Sequence, residues 1–160
     1  MKKIEGGYTE TAKETLELLL QSHFPGSKTL TKNDAGEPIT LEPLLRGNRG
    51  DWVLARQIVN LTKVRWAVKT FHPYKSPGMD GIFSALLQQG LNLIASTLCA
   101  LLRASIALGY IPMVWRDVKV VFILKPGRDS CAQAKSFRPI SLTSFLLKLL
   151  EKLIDRHIRN

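Results

Sequence analysis

The 160-residue sequence predicts an α+β fold, mostly helical, with one short antiparallel β-hairpin. Two observations carry that prediction. Apolar residues recur at helical spacing along most of the chain after Asp51, above all in Leu91–Leu108 and Thr143–Arg159. One stretch departs from that period: Val118–Leu124 is β-branched or apolar apart from Lys119 and reads as a largely buried strand. Pro126-Gly127 stops it, because proline offers no N–H to a ladder and glycine permits a positive φ. A second extended run, Ile140-Ser141-Leu142, follows a polar loop and leads into the last helix. The apolar fraction of 45% with 22% charged is that of a folded chain rather than a disordered one.

Two regions are expected. Residues 1–50 form an N-terminal extension with one helix and a flexible connector, and residues 51–160 form the main body. Thr11-Ala12-Lys13-Glu14 has the capping-box form, with Leu16, Leu19 and Leu20 following at helical spacing and Pro25-Gly26 ending the helix. From Ser27 to Gly50 the sequence is polar, with only Leu41, Leu44 and Leu45 available for a short apolar contact, so residues 1–50 read as a poorly packed extension. Asp51 is expected to cap a helix through Val59, and Thr62 a second one carrying Val64, Ala67, Val68 and Phe71 on one face. In Lys75–Gly81, Pro77-Gly78 fits the centre of a type II turn, and Asp80 then caps a helix Ile82–Gln89. Leu91–Leu108 forms a separate apolar helix that Gly109 ends, and Trp115 packs on it. No run is long enough to span a membrane, Arg103 interrupting the apolar stretch.

The hairpin is also where charge gathers. Lys125 leaves the first strand and Arg138 stands at the start of the second, so paired strands would project both cations from neighbouring backbone. A point charge beside a planar fork suits a ligand with several phosphate oxygens. Arg128 substitutes for Lys125 if the strand end is shifted. Arg116 and Lys119 are exposed candidates for backbone phosphates. The chain carries 23 Lys+Arg against 13 Asp+Glu, a net +10, and residues 1–50 balance to zero, so the whole surplus lies after residue 50. A surplus confined in that way points to a polyanionic partner, with nucleic acid ahead of an anionic membrane.

Val121–Asp129, then Ser136-Phe137-Arg138-Pro139-Ile140-Ser141-Leu142 and the helix through Arg159, resembles the fingers region of reverse transcriptases of non-LTR (LINE-type) retrotransposons. Upstream, Lys75-Ser76-Pro77-Gly78-Met79-Asp80-Gly81-Ile82 resembles the loop that precedes it in that family, which usually has proline where Met79 stands. The likeness covers roughly residues 58–160. It implies an incomplete right-hand polymerase fold, with fingers present and palm and thumb absent. It also implies nucleotide-triphosphate contacts from Arg138, Lys125 or Arg128, and template contacts from Lys75, Ser76, Gly78, Arg116 and Lys119. The implied partners are an RNA template, a DNA primer and a deoxynucleoside triphosphate, the last held weakly without a palm.

Template-directed nucleotidyl transfer needs carboxylate-held metal ions. In the family those aspartates lie downstream of the fingers, and Asp117 and Asp129 form no recognisable pair. The expectation is therefore a truncated fingers region, unable to polymerise alone. No cofactor is expected on this chain, and Mg2+ only in the full-length enzyme. Glu151 and Asp155 read as a solvent face balanced by Lys148, Lys152 and Arg159 rather than as a catalytic pair. The alternative is a stand-alone basic nucleic-acid-binding module without catalysis. A helix-rich protein-interaction domain would require a large exposed apolar face, which the last helix is expected to have, though the missing palm would explain it as an orphaned interface. Cys99 and Cys131 are too few for a disulfide framework or zinc site, and with no signal peptide an intracellular place, cytoplasm or nucleus, is expected.

Overall fold

Side-chain oxygens of Thr11, Asn48 and Asn60 start the first three helices by the same chemistry, each accepting a backbone N–H three residues on. The computed structural model describes residues 1–3, 6–27, 47–127 and 131–159. Helix α1 is Ala12–His23, α2 Arg49–Ile58 and α3 Leu61–Lys69. Thr11 gives half of the expected capping box. Glu14 does not return to the Thr11 N–H but accepts from Glu10, one residue earlier, and pairs with Lys3 at 3.3 Å. That N–H first, then the Lys3 ammonium, holds the Glu14 carboxyl below its ordinary pKa.

The next two caps differ from the sequence expectation. Asn48, not Asp51, caps α2; Asp51 sits three residues in and completes a reciprocal box by accepting the Asn48 N–H at 2.8 Å. A lone Asp51 cap would have satisfied one free N–H instead of two. Likewise Asn60, not Thr62, caps α3. That start brings Val64, Ala67 and Val68 into the core as expected. The connector residues 28–46, with Leu41, Leu44 and Leu45, lie outside the described residues.

The two helices expected on either side of Gly90 are one, α4, Ser84–Ala107. An isolated glycine costs only about 1 kcal/mol in a helix, less than the burial of the leucines on both sides returns. The 24-residue helix that results is long and apolar enough to cross a bilayer by length and composition. Here it serves as a core helix, its stripe through Leu87, Leu91, Ala95, Leu98 and Leu102 buried, with α2 and α3 as its neighbours. Each such leucine contributes about 1.5–3 kcal/mol of burial. Arg103 reaches from α4 to the Val59 carbonyl at 2.9 Å, so it ties the α2–α3 elbow down. At the far end Gly109 has φ 58, the Tyr110 N–H reaches Ser105 O and the Gly109 N–H reaches Ile106 O. Those two bonds close the helix as a Schellman motif.

Short α5, Met113–Arg116, buries Trp115 in the same cluster, with α6 as its neighbour. Helix α6, Phe145–Arg159, inserts Phe145, Leu149, Leu150 and Leu153 against α3 and α2. The large exposed apolar face expected of this last helix is absent: Ile158, 76% exposed, is its one exposed large hydrophobic side chain. Together α2 to α6 make one compact unit, Leu41–Lys119 with Leu142–Asn160.

The other unit is Met1–Thr40 with Val120–Ser141. It holds α1 and most of a two-stranded antiparallel sheet, β1 (Lys119–Leu124) and β2 (Phe137–Leu142). Strand β2 is longer than the expected Ile140–Leu142, because Phe137 and Arg138 already pair. The Lys125 N–H donates to Ser136 O at 2.8 Å, which sets Ile123 opposite Arg138 and Phe122 opposite Pro139. Pro139 thus falls where its nitrogen faces away from β1, and its missing N–H costs no ladder bond. A 3-10 turn, Ala134–Ser136, precedes β2 and packs on α1. His23 Nε2 lies 3.0 Å from Ala134 O, with the ring 5.7 Å from that of Phe122.

Candidate nucleotide and nucleic-acid site

The hairpin pairs the strand that Lys125 leaves with the strand that carries Arg138, so the two residues stand on neighbouring backbone. In the register set by Ser136, Arg138 is diagonal to Lys125, a relation that places two residues about 7–8 Å apart in a regular ladder. Arg138 is exposed, and its guanidinium has no hydrogen bond or ion pair among the described residues. Lys125 is half-buried, and its ammonium donates to Lys135 O at 2.8 Å. That bond uses one of three donors, so two remain for an incoming anion, and the head is held instead of swinging. Gly127, with φ 73, supplies the turn that ends the strand. Arg128 lies outside the described residues. In the same unit Lys2, Lys3 and Lys135, with Leu18 and Ala134, line a recess of about 300 Å3. The sequence reading missed that recess, since its lysines come from opposite ends of the unit's chain.

The second set of candidates lies in the helical unit. Lys75 and Ser76 are exposed on the loop after α3, while Gly78 is buried. Gly78 does not have the positive φ of a type II turn; Gly81 does, at φ 68, and its N–H reaches Gly78 O. Gly78 is needed for closeness instead. A Cβ there would stand 2.7 Å from Ser144 N and 2.8 Å from Thr143 C, so only glycine fits against the start of α6.

The loop is pinned at several points. Asp80 does not cap α4, which begins after Phe83 without a side-chain cap. Its Oδ1 accepts the Ile82 N–H, and its Oδ2 accepts the Ser144 hydroxyl at 2.6 Å. Ser84 Oγ donates to His72 O, and Gln88 Nε2 donates to Phe71 O and Val68 O. A backbone so fixed presents its outward side chains in one arrangement. Tyr74 is 93% exposed next to Lys75, and with His72 and Pro73 the two line a shallow recess of about 290 Å3. An exposed aromatic ring beside a cation is the combination that stacks bases and tracks phosphates. The sequence reading passed over Tyr74, although an unburied tyrosine in a Pro/Gly-rich loop was the available signal.

Arg116 and Lys119 are both exposed as expected, with the Arg116 guanidinium 6.0 Å from the Tyr110 ring centroid. Among the described residues no three His, Cys, Asp or Glu side chains gather into a metal-holding cluster. Glu151 has no ion pair among the described residues, and Asp155 is bound by Arg159 at 2.6 Å, the pair read from the sequence. This arrangement offers exposed cations to an anion at several places.

The chain is similar to proteins of retrotransposable elements. Over 156 residues, 98% of the chain and 14% of the relative, it is 26% identical to the retrovirus-related Pol polyprotein from the type-1 retrotransposable element R1 of Bradysia coprophila. It is 32% identical over 103 residues to the RNA-directed DNA polymerase ascribed to transposon BS of Drosophila melanogaster, covering 64% of the chain and 11% of that protein. A third relative is the RNA-directed DNA polymerase from the mobile element jockey of Drosophila funebris, 26% identical over 153 residues, with 96% of the chain and 16% of the relative covered. The chain thus spans less than a fifth of each of these relatives. No family model matches it.

Proposed function

Because this chain is homologous to the polymerases and Pol polyproteins of non-LTR retrotransposable elements, we propose that it forms part of the fingers of an RNA-directed DNA polymerase. Its role in that reading is to grip template and incoming nucleotide rather than to perform the transfer. Arg138 and Lys125 neutralise the triphosphate, the fork of one making paired bonds and the fixed ammonium of the other adding a point charge. Lys75 and Ser76 meet the template backbone while Tyr74 stacks a base, and Arg116 and Lys119 add phosphate contacts. Mg2+ and the carboxylates that hold it belong to other parts of such a polymerase. The observation that supports this reading best is the exposed Arg138 guanidinium, without a partner among the described residues, on a strand paired with the one that Lys125 leaves.

Fluorescence anisotropy of a labelled single-stranded RNA across a salt series tests the nucleic-acid part. Each phosphate contact contributes about 0.7 to the slope of log affinity against log salt. Lys75→Glu and Arg116→Glu are each expected to weaken binding for every sequence and to flatten that slope. A wild-type affinity independent of salt contradicts the use of this surface on phosphates.

A further inference from the structure

Helix α6 carries a second cationic feature that the hairpin and loop do not use. Lys148, Lys152 and Arg156 follow one another at four-residue spacing, so they form a row about 12 Å long on one side of the helix. The sequence suggests a salt-bridged solvent face here; only Asp155–Arg159 realises it, and none of these three cations has an ion pair among the described residues. Each lies over an aromatic ring instead. The Lys148 ammonium is 4.7 Å from the Phe145 centroid, and Lys152 is 5.5 Å from both Trp66 and Phe71. The Arg156 guanidinium carbon is 4.1 Å from the Trp66 centroid. Trp66 itself remains 39% exposed.

Cations held this way behave differently from free surface lysines. The ring face attracts the charge without consuming a hydrogen-bond donor, so N–H groups stay available. Side-chain freedom is already reduced before any ligand arrives, which lowers the entropic cost of binding. Lys69 adds a further exposed charge three residues from Trp66 on α3. Glu151, beside Lys152, and Asp155, beside Arg156, are the carboxylates nearest along the helix, and neither pairs with the row, Asp155 being held by Arg159.

We propose that this row, Lys148–Lys152–Arg156 backed by Trp66 and Phe71, is a binding track for single-stranded nucleic acid. A linear row of charges about 6 Å apart matches a polymer that repeats its phosphates, and Trp66, 39% exposed, offers an aromatic contact to an unstacked base. A duplex presents no free base to that ring, and a single phosphate group would use one cation of three. The track stands on different residues from the template loop and the hairpin, so it holds or fails separately from the fingers reading.

The test measures binding of the full chain to a short mixed-sequence single-stranded RNA over a salt series. Replacing Lys148, Lys152 and Arg156 together with Gln is expected to weaken binding and lower the salt slope by about two. Glu151→Gln removes a negative charge beside the row and leaves its ring contacts intact, so it is expected to tighten binding. That gain cannot come from unfolding, which keeps the inference falsifiable if the triple variant folds poorly. An unchanged slope in a folded triple variant, or no gain from Glu151→Gln, overturns it. Equal losses for duplex RNA, or binding to phosphatidylserine vesicles but not to RNA, overturns it as well. Lys75→Glu and Arg116→Glu measured alongside separate the two surfaces: a loss confined to those variants leaves the template reading standing and removes the track.

Discussion

Ser144, 1% exposed at the start of α6, donates its hydroxyl to Asp80 at 2.6 Å while accepting the Leu146 N–H at 3.1 Å. Through that one oxygen a carboxylate from the 75–81 loop is linked to the free N–H groups of a helix 64 residues later. The loop's shape and the helix's cap are therefore a single feature, and Gly78 allows it by bringing loop backbone against Thr143 and Ser144.

Breaking that link is expected to cost stability in proportion to what is left unpaired. Ser144→Ala removes a cap and a charge-assisted bond together, a loss of roughly 2–3 kcal/mol. Gly78→Ala forces a contact shorter than any relaxed Cβ makes and is expected to cost at least as much. Urea unfolding followed by circular dichroism reads both as lower midpoints. A midpoint unchanged by either substitution contradicts the linkage.

The opposite result is expected at Gly90. It sits inside α4, and a Cβ added there meets nothing within 4 Å. Gly90→Ala should stabilise the chain by about 0.5–1 kcal/mol, because the glycine's backbone freedom is what the helix now has to remove. A fall in stability would mean that α4 is broken at that point, as two separate helices would be.

These two glycines mark what the sequence could and could not reveal. Gly109 and Gly127 stand where chain reversals require them, and local pattern alone placed both. The strand, the apolar stripes and the Asp155–Arg159 pair were legible for the same reason: each depends on neighbours a few residues away. Asp80 was not legible, since its partner is 64 residues off and a cap for the next helix was the nearer explanation. The caps at Asn48 and Asn60 were hidden by Asp51 and Thr62, which carry equally suitable oxygens one turn or less downstream. Of the candidate site, the neighbouring strand positions of Lys125 and Arg138 could be read from two strands and a turn. The α6 row could not, because its ring contacts are set by tertiary packing, whereas Tyr74 carried a signal in its Pro/Gly-rich loop.

Cysteine reactivity should report the same fold. Cys99 is buried in α4, and desolvation pushes its thiol pKa up, whereas Cys131 is exposed. Only the thiolate reacts. Iodoacetamide under native conditions is expected to modify Cys131 first and Cys99 only after denaturant is added, as mass spectrometry of the digested chain would show. Equal labelling of both in buffer contradicts the packing of α4.

On the loop after α3, Tyr74→Ala is expected to weaken single-stranded RNA binding by about 1–3 kcal/mol, the value of one stacked base. Its salt slope should stay that of the wild type, since no charge is lost. Lys75→Glu should change the slope. If Tyr74→Ala alters the slope and leaves the affinity at low salt intact, the ring is not a stacking platform.

The central claim is that the β1–β2 hairpin receives nucleotide phosphates, and the most direct measurement is a titration of the chain with a deoxynucleoside triphosphate followed by NMR. Two cations without bound metal should give weak binding, on the order of millimolar, or about −4 kcal/mol. The predicted result is a set of saturating shifts at the Arg138 Nε–H and the amides around Lys125 and Ser136, lost in Arg138→Ala. Hairpin signals that stay fixed through that range, or that move equally in Arg138→Ala, would contradict it.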